Sequence, residues 1–239
     1  MASRRPIGRT RTGARSAAAR RAGPESEVVV IGLGRFGRAL SLTLGTMGYE
    51  VLGIEAEPKL VQECSRELTH VVEADGTNYE ALRQLGVGDA RIAVVAIGTD
   101  LEASVLTVAA LDDLRVPNIW AKALNERHAE ILRRVGAHHV VLPEVEMGER
   151  VAHLVTGRMI EYVQLDSDFA LVETAAPREL VGRTLAEAGV RAAYNVTVVC
   201  MRPAGGQWTY ATYESTVAEG DLLMVAGPIT AVERFSELP

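Results

Sequence analysis

The feature that most constrains the fold is a regular alternation, between residues 27 and 142, of short β-branched runs and longer stretches with helical periodicity. We predict six strands with five helices between them. The strands lie at residues 28–31, 50–54, 70–73, 92–97, 118–121 and 139–142. Continuous apolar strands separated by amphipathic helices are typical of a parallel sheet covered on both faces. The pattern therefore predicts a Rossmann-like, doubly wound parallel α/β domain over residues 25–143.

After residue 142 the pattern changes. A single connecting helix is predicted over residues 144–158, and residues 159–239 then show shorter strands separated by turns. The predicted strands are at 159–165, 170–174, 195–201, 216–217 and 222–225, with short helices at 184–188 and 230–236. This mixture predicts a small α+β C-terminal domain.

Charge is divided unevenly along the chain. Residues 1–24 hold seven Arg and no acidic residue; without them, 18 of the 25 Lys+Arg remain against 31 Asp+Glu. An acidic body argues against nucleic-acid binding, because phosphate contacts need basic side chains. We predict that residues 1–24 form a disordered basic tail. The apolar runs are at most seven residues long, which predicts no membrane span. The two cysteines, Cys64 and Cys200, lack the spacing of a disulfide framework, and their number and spacing favour a reducing cytoplasm.

The run GLGRFG at residues 32–37 follows a predicted strand and opens a helix. In this context Gly32 permits a tight turn, Gly34 allows the backbone to approach a phosphate, and Gly37 allows close helix packing. The helix N-terminus offers N–H groups to an anion. Glu55 ends the second strand, 18 residues after Gly37, where a carboxylate can accept ribose hydroxyls. Together these features predict nucleotide binding.

Other residues at predicted strand ends could line the same crevice. Arg35 within the loop can pair with a terminal phosphate, which favours ATP or ADP over NAD, although a solvated Arg remains the alternative. The third strand ends in Asp75, Gly76 and Thr77, which can reach an adenine or can simply begin the next helix. We add Phe36 from the loop, Ile97 and Gly98 from the fourth strand, and Lys122 from the fifth. An ordinary turn remains the alternative for Gly98, and a solvated side chain or a contact with a neighbouring subunit remains the alternative for Lys122.

Several sequence runs together resemble one family: GLGRFG, ADGTN, VAIGTD, NIWAKALNERH, VGAHHVVLPEVEMG and GDLLMVAG. Over residues 27–237 the chain is similar to the RCK proteins (regulators of potassium conductance), and most of all to Ktr/Trk-type regulatory subunits of bacterial potassium transporters. The resemblance implies a cytoplasmic protein, peripheral to the inner face of the membrane, whose dimers assemble into an octameric gating ring under a potassium-translocating subunit. It further implies activation by ATP relative to ADP.

The resemblance also implies roles for individual residues. Gly32, Gly34, Arg35 and Gly37 match the phosphate loop, Glu55 the ribose acid, and Asp75 and Thr77 the adenine side. Glu144 matches a carboxylate that holds a divalent cation or sodium between subunits. In the C-terminal domain, a cyclic di-AMP site is implied at Val190, Arg191, Tyr194 and Thr197, with a surface role for Arg191 as the alternative.

Three other functions remain open. A regulator of a cation/proton antiporter, or an NAD(H)-responsive Trk-type subunit, would use the same domains. An NAD-dependent oxidoreductase would need an acid/base residue near the nicotinamide, and the five His show no spacing that we can interpret as a proton relay. The sequence therefore predicts a binding protein without catalytic residues.

Overall fold

Residues 27–239 are described by a computed structural model and form two compact units that divide between Leu142 and Pro143. The basic tail predicted at residues 1–24 lies outside the described residues. The first unit is built on six strands: β1 (Glu27–Ile31), β2 (Glu50–Glu55), β3 (His70–Glu73), β4 (Ile92–Val95), β5 (Ile119–Lys122) and β6 (His139–Val141). All pair in parallel in the order β3-β2-β1-β4-β5-β6, which confirms the doubly wound fold.

Five helices connect these strands: α1 (Arg35–Thr46), α2 (Pro58–Cys64), α3 (Tyr79–Gln84), α4 (Leu101–Asp113) and α5 (Glu126–Arg134). The central strand β1 explains why both faces of the sheet need helices. Alternate side chains of a strand point to opposite faces, so Val29 and Ile31 enter one apolar cluster and Val28 and Val30 enter another. The strand order reverses between β1 and β4, which places the ligand crevice expected for this fold at their carboxyl ends.

The second unit contains α6 (Pro143–Val155), β7 (Met159–Asp166), β8 (Phe169–Ala175), α7 (Leu185–Ala188), α8 (Val190–Tyr194), β9 (Thr197–Arg202), β10 (Thr209–Tyr210), β11 (Leu222–Pro228) and α9 (Ile229–Ser236). Its strands form an antiparallel sheet in the order β10-β9-β11-β8-β7. Phe235 and Leu223 are completely buried in its own apolar core. The predicted α+β class is confirmed. Within residues 27–239 no helix is long and apolar enough to cross a membrane.

Local structure differs from the sequence prediction between residues 184 and 217. The predicted strand at 216–217 is wrong, because Thr216 makes only an isolated antiparallel bridge to Thr184. Helix α8 was not predicted, and the strand expected from residue 195 begins at Thr197. The cause is Asn195, whose φ of 58° is left-handed and ends α8 before β9 can begin.

Candidate functional site

At two positions, Gly32 and Gly37, the loop between β1 and α1 and the first turn of α1 have a geometry that only glycine permits. Gly32 has a φ of 92°, and its N–H donates to the Ile54 carbonyl over 2.8 Å. A Cβ on Gly37 would lie 1.9 Å from the Gly32 carbonyl oxygen. The first turn of α1 therefore lies directly against the loop, and both glycines are needed for the fold itself.

Gly34 differs from these two glycines. Its φ of −61° suits any residue, and a Cβ added there would meet no atom within 4 Å. Neither backbone conformation nor packing calls for glycine, so what it provides is open space beside the backbone. Gly34 is also the N-cap of α1 and makes no side-chain cap, which leaves the helix N-terminus available to an anion. These features fit a phosphate group.

The Glu55 carboxylate is fixed at the end of β2 by three backbone donors. Its Oε2 accepts from the Leu33 N–H over 2.7 Å, and its Oε1 accepts from Ala56 and Glu57 over 2.8 and 3.0 Å. A carboxylate offers about four lone-pair positions, so roughly one remains for another donor. The carboxylate is therefore positioned before any ligand arrives, and it can still accept a ribose hydroxyl.

Leu33 is the site residue that sequence reasoning missed. Its N–H donates to Glu55, and its carbonyl oxygen accepts from the Cys64 thiol over 3.9 Å. Its side chain packs against β2, because a Cβ added to Gly53 would lie 2.9 Å from Leu33 Cδ1. Burial raises the pKa of Cys64, which keeps the thiol protonated as a donor. The middle position of a GxG motif carries no sequence signal, but a glycine within a strand, such as Gly53 in β2, is a signal for the close approach of another group.

The turn after β3 packs tightly beneath the same edge of the sheet. Asp75 Oδ1 accepts from the Thr77 N–H and from its hydroxyl, over 2.9 and 2.8 Å. A Cβ on Gly76 would lie 2.5 Å from Ile31 Cγ2, so this turn contacts the end of β1. Asn78, rather than Thr77, caps α3 through Ala81. The turn is thus a fixed Asx-type turn beside the crevice.

At the other side of the crevice, Lys122 lies beside the first turn of α1 and beside the segment that follows β4. It is only 8% exposed, and its Nζ lies 5.7 Å from the centre of the Phe36 ring. A Cβ on Gly98 would come within 3.0 Å of the same Nζ, and a Cβ on Gly32 would meet Ile97 at 3.1 Å. The structure therefore brings the predicted residues of the first unit together at one sheet edge, while Arg35 stands exposed at the start of α1.

The predicted site residues of the second unit each have their own contacts within that unit. Arg191 donates from Nε and Nη2 to the Thr197 hydroxyl over 3.1 and 3.0 Å, whereas the Val190 side chain is buried. Tyr194 donates to Glu179, and this hydrogen bond, with a smaller contribution from burial, raises the pKa of its phenol. Glu144 lies in the first turn of α6. Within residues 27–239 of one chain, no cluster of three or more His, Cys, Asp or Glu could hold a metal.

The parallel fold and its glycine-rich edge are those of a doubly wound, nucleotide-binding type of domain, and residues 28–143 match the TrkA-N domain family. Similarity to complete proteins extends over more of the chain than the TrkA-N match does. The chain is 33% identical over 214 residues to Ktr system potassium uptake protein C of Bacillus subtilis, covering 89% of this chain and 97% of that protein. Ktr system potassium uptake protein A of Vibrio alginolyticus is 32% identical over 206 residues, covering 85% and 93%. The chain belongs to this family of Ktr potassium uptake proteins.

The solved RCK domain of GsuK shares the fold. It is 19% identical with a TM-score of 0.62, and the match covers 90% of this chain and 48% of that chain. This chain therefore spans about half the length of that structure. A GsuK channel bound to NAD gives the same TM-score of 0.62 at 19% identity. The resemblance of the sequence to Ktr/Trk-type proteins is confirmed by the Ktr relatives, and the GsuK structures show that the fold is shared.

Proposed function

We propose that this chain is a cytoplasmic regulatory subunit, peripheral to the inner face of the membrane, that binds nucleotides and controls a separate potassium-translocating subunit. The observation that carries this proposal is the preformed site. The carboxylate of Glu55 is fixed and the space at Gly34 is open, in a chain related over most of its length to potassium uptake proteins. The function is one of binding and not of catalysis.

In the proposed site, the phosphates of the nucleotide lie over Gly34 at the N-terminus of α1 and the ribose hydroxyls donate to Glu55. Asp75, Gly76 and Thr77 border the adenine on one side, and Ile97, Gly98 and Lys122 close the other. A bound nucleotide changes the assembly only by binding two of its conformations with different affinity. Discrimination between ATP and ADP therefore needs a group that meets the terminal phosphate.

Arg35 is the residue that we propose for this discrimination. It is exposed at the first position of α1, where its guanidinium can reach beyond the helix N-terminus to a terminal phosphate. We expect Arg35→Ala to lower ATP affinity by about 10-fold or more, because a charge-assisted hydrogen bond is worth about 1.5–3 kcal/mol, while ADP affinity changes little. Calorimetric titration of both nucleotides measures the ratio of ATP affinity to ADP affinity in the variant and in the original protein.

Arg38→Ala is the matched control for Arg35→Ala. Arg38 lies one turn later on α1, and its guanidinium is held by two hydrogen bonds of 2.8 and 2.7 Å to Glu67. Its loss is expected to leave the ratio of ATP to ADP affinity unchanged. An unchanged ratio in the Arg35 variant would contradict the proposed role.

The remaining parts of the proposal concern assembly and further ligands. Dimers of this chain would assemble into an octameric ring, as the family resemblance implies. A carboxylate such as Glu144, contributed by two subunits, is a suitable ligand for a divalent cation or sodium. In the second unit, Arg191 is the group that could pair with a phosphate of cyclic di-AMP, after exchanging its bond to Thr197.

A calorimetric panel of ATP, ADP, NADH and cyclic di-AMP on the purified chain tests the proposed function. We expect ATP to bind more tightly than ADP and NADH. NADH is included because a protein of the same fold was solved with NAD, and tight NADH binding with weak ATP binding would instead favour an NAD(H)-responsive subunit. Absence of binding by ATP, ADP and NADH alike would contradict the proposal. Co-purification with a potassium-translocating membrane protein, rather than a cation/proton antiporter, tests the partner.

A further inference from the structure

A cavity of about 490 Å³ lies at the edge of the parallel sheet where the strands begin. It is lined by the second half of α1, by Tyr49, Glu50 and Val51 at the start of β2, and by residues 67–70, which lead into β3. The glycine-rich loop and Glu55 lie at the opposite edge, where the strands end. The cavity is therefore separate from the proposed nucleotide site.

Ser41 of α1 brings an unsatisfied hydroxyl to this cavity. The residue lines the cavity and is 0% exposed, and its Oγ has no hydrogen-bond partner among the described residues. A buried hydroxyl that stays unpaired is unfavourable, because it has lost its hydrogen bonds to water. Ser41 therefore indicates a hydrogen-bonding partner that residues 27–239 do not supply.

The charges around the cavity are also unbalanced. Glu50 lies directly opposite Glu27 in the register of β2 and β1, where like charges repel, and neither forms an ion pair within residues 27–239. The last turn of α1 carries no basic residue, although the C-terminal end of a helix attracts cations. Glu67 is already bound by Arg38, and no Lys or Arg of the described residues lines the cavity. The cavity therefore suits a cation that also donates hydrogen bonds.

We propose that the arginine-rich segment of residues 1–24 binds this cavity of its own chain. A guanidinium carries five N–H donors, so it can donate to Ser41 Oγ and to the Glu50 carboxylate at the same time. Its flat face suits the ring of Tyr49, which lines the same cavity. It would also place a cation at the C-terminal end of α1. This inference goes beyond the proposed function, since it requires no nucleotide.

The position and charge of the segment fit this site. Residues 1–24 hold seven Arg and no acidic residue. Arg21 precedes Glu27 by six residues, which span up to about 20 Å when extended, whereas neighbouring strands such as those of Glu27 and Glu50 lie only about 4.8 Å apart. Because the segment is covalently joined to β1, its effective concentration at the cavity is about millimolar. Weak exposed ion pairs are therefore sufficient to bind it.

Tryptic cleavage of the intact chain tests the contact, because trypsin cuts after arginine and a bound segment is protected from it. Mass spectrometry follows the rate of cleavage within residues 1–24, and a parallel reaction gives the rate for a synthetic peptide of residues 1–26. At about 0.01 M salt we expect the chain to be cut about two- to fivefold more slowly than the peptide, and at about 1 M salt we expect no difference. Equal rates at low salt would overturn the proposal.

Two substitutions identify the cavity as the binding site. Glu50→Gln removes the charge of the carboxylate, Ser41→Ala removes the hydroxyl, and neither changes a trypsin site. Each is expected to raise the cleavage rate towards that of the peptide, whereas the matched control Glu219→Gln, at an exposed turn of the second unit, should retain the protection. Protection that survives Glu50→Gln would overturn the proposal. If Ser41→Ala fails to fold, Glu50→Gln decides alone.

Two further conditions distinguish other partners of the segment. A segment bound within its own chain stays protected when the protein is diluted from about 10 µM to about 0.1 µM, because the contact is intramolecular. Protection that disappears on dilution would place the segment in the cavity of a second copy and would overturn the proposal. Protection that appears only when vesicles of anionic phospholipid are added would likewise overturn it, in favour of a membrane surface.

Discussion

Gly37→Ala is expected to destabilise the parallel unit by roughly 3 kcal/mol or more, the largest effect that we predict for a single methyl group. The added Cβ would lie 1.9 Å from the Gly32 carbonyl oxygen and 3.0 Å from the Ala96 Cβ. The nearest obstacle is backbone and not the end of a flexible side chain, so α1 or the loop must move. Chemical denaturation, followed by exchange protection of β1 and β4, measures the loss.

Gly34→Ala is the matched control, because it makes the same chemical change three residues earlier. Its Cβ would meet no atom within 4 Å and its φ of −61° suits alanine, so stability should change by less than about 1 kcal/mol. Nucleotide affinity, however, should fall by about 10-fold or more if a phosphate occupies that space. A Gly34 variant that binds as tightly as the original protein would place the phosphate elsewhere. Unchanged stability of Gly37→Ala would contradict the described packing.

Glu55→Gln is expected to lower nucleotide affinity by about 10- to 100-fold, the equivalent of one hydrogen bond to a charged group. The amide keeps one acceptor oxygen but places an NH₂ donor against backbone N–H groups. Three such groups, from Leu33, Ala56 and Glu57, now donate to the carboxylate. The change therefore weakens both the ribose contact and the preorganisation of the loop, and calorimetry with ATP measures the combined result.

Glu57→Gln separates the ribose contact from a general loss of negative charge. Glu57 is exposed two residues beyond Glu55, at the N-cap of α2, where its side chain makes no capping bond. We expect this variant to bind nucleotide like the original protein. Equal losses in the two variants would indicate long-range electrostatics, and no loss in either would remove Glu55 from the site.

The architecture of the first unit was predictable because its signal is local. Apolar runs such as the one that becomes β1 and the helical periodicities between them recur along the chain, and they correspond to β1–β6 and α1–α5. Where the local signal is short, the prediction failed. Thr216 has strand-like neighbours but only one bridging partner, and α8 is too short to show a period. The left-handed Asn195 sets both boundaries there, and a residue name does not reveal its φ.

The sequence by itself determined the fold class, the glycine-rich loop and the acid at the end of β2, because these depend on spacing along the chain. Only the tertiary structure decided what each glycine does, since the space around a missing Cβ is set by residues distant in sequence. Gly37 is required by the Gly32 carbonyl, whereas Gly34 faces open space. For the same reason the sequence did not reveal the role of Leu33. It contacts Glu55, Cys64 and Gly53, each of which is 20 or more residues away along the chain.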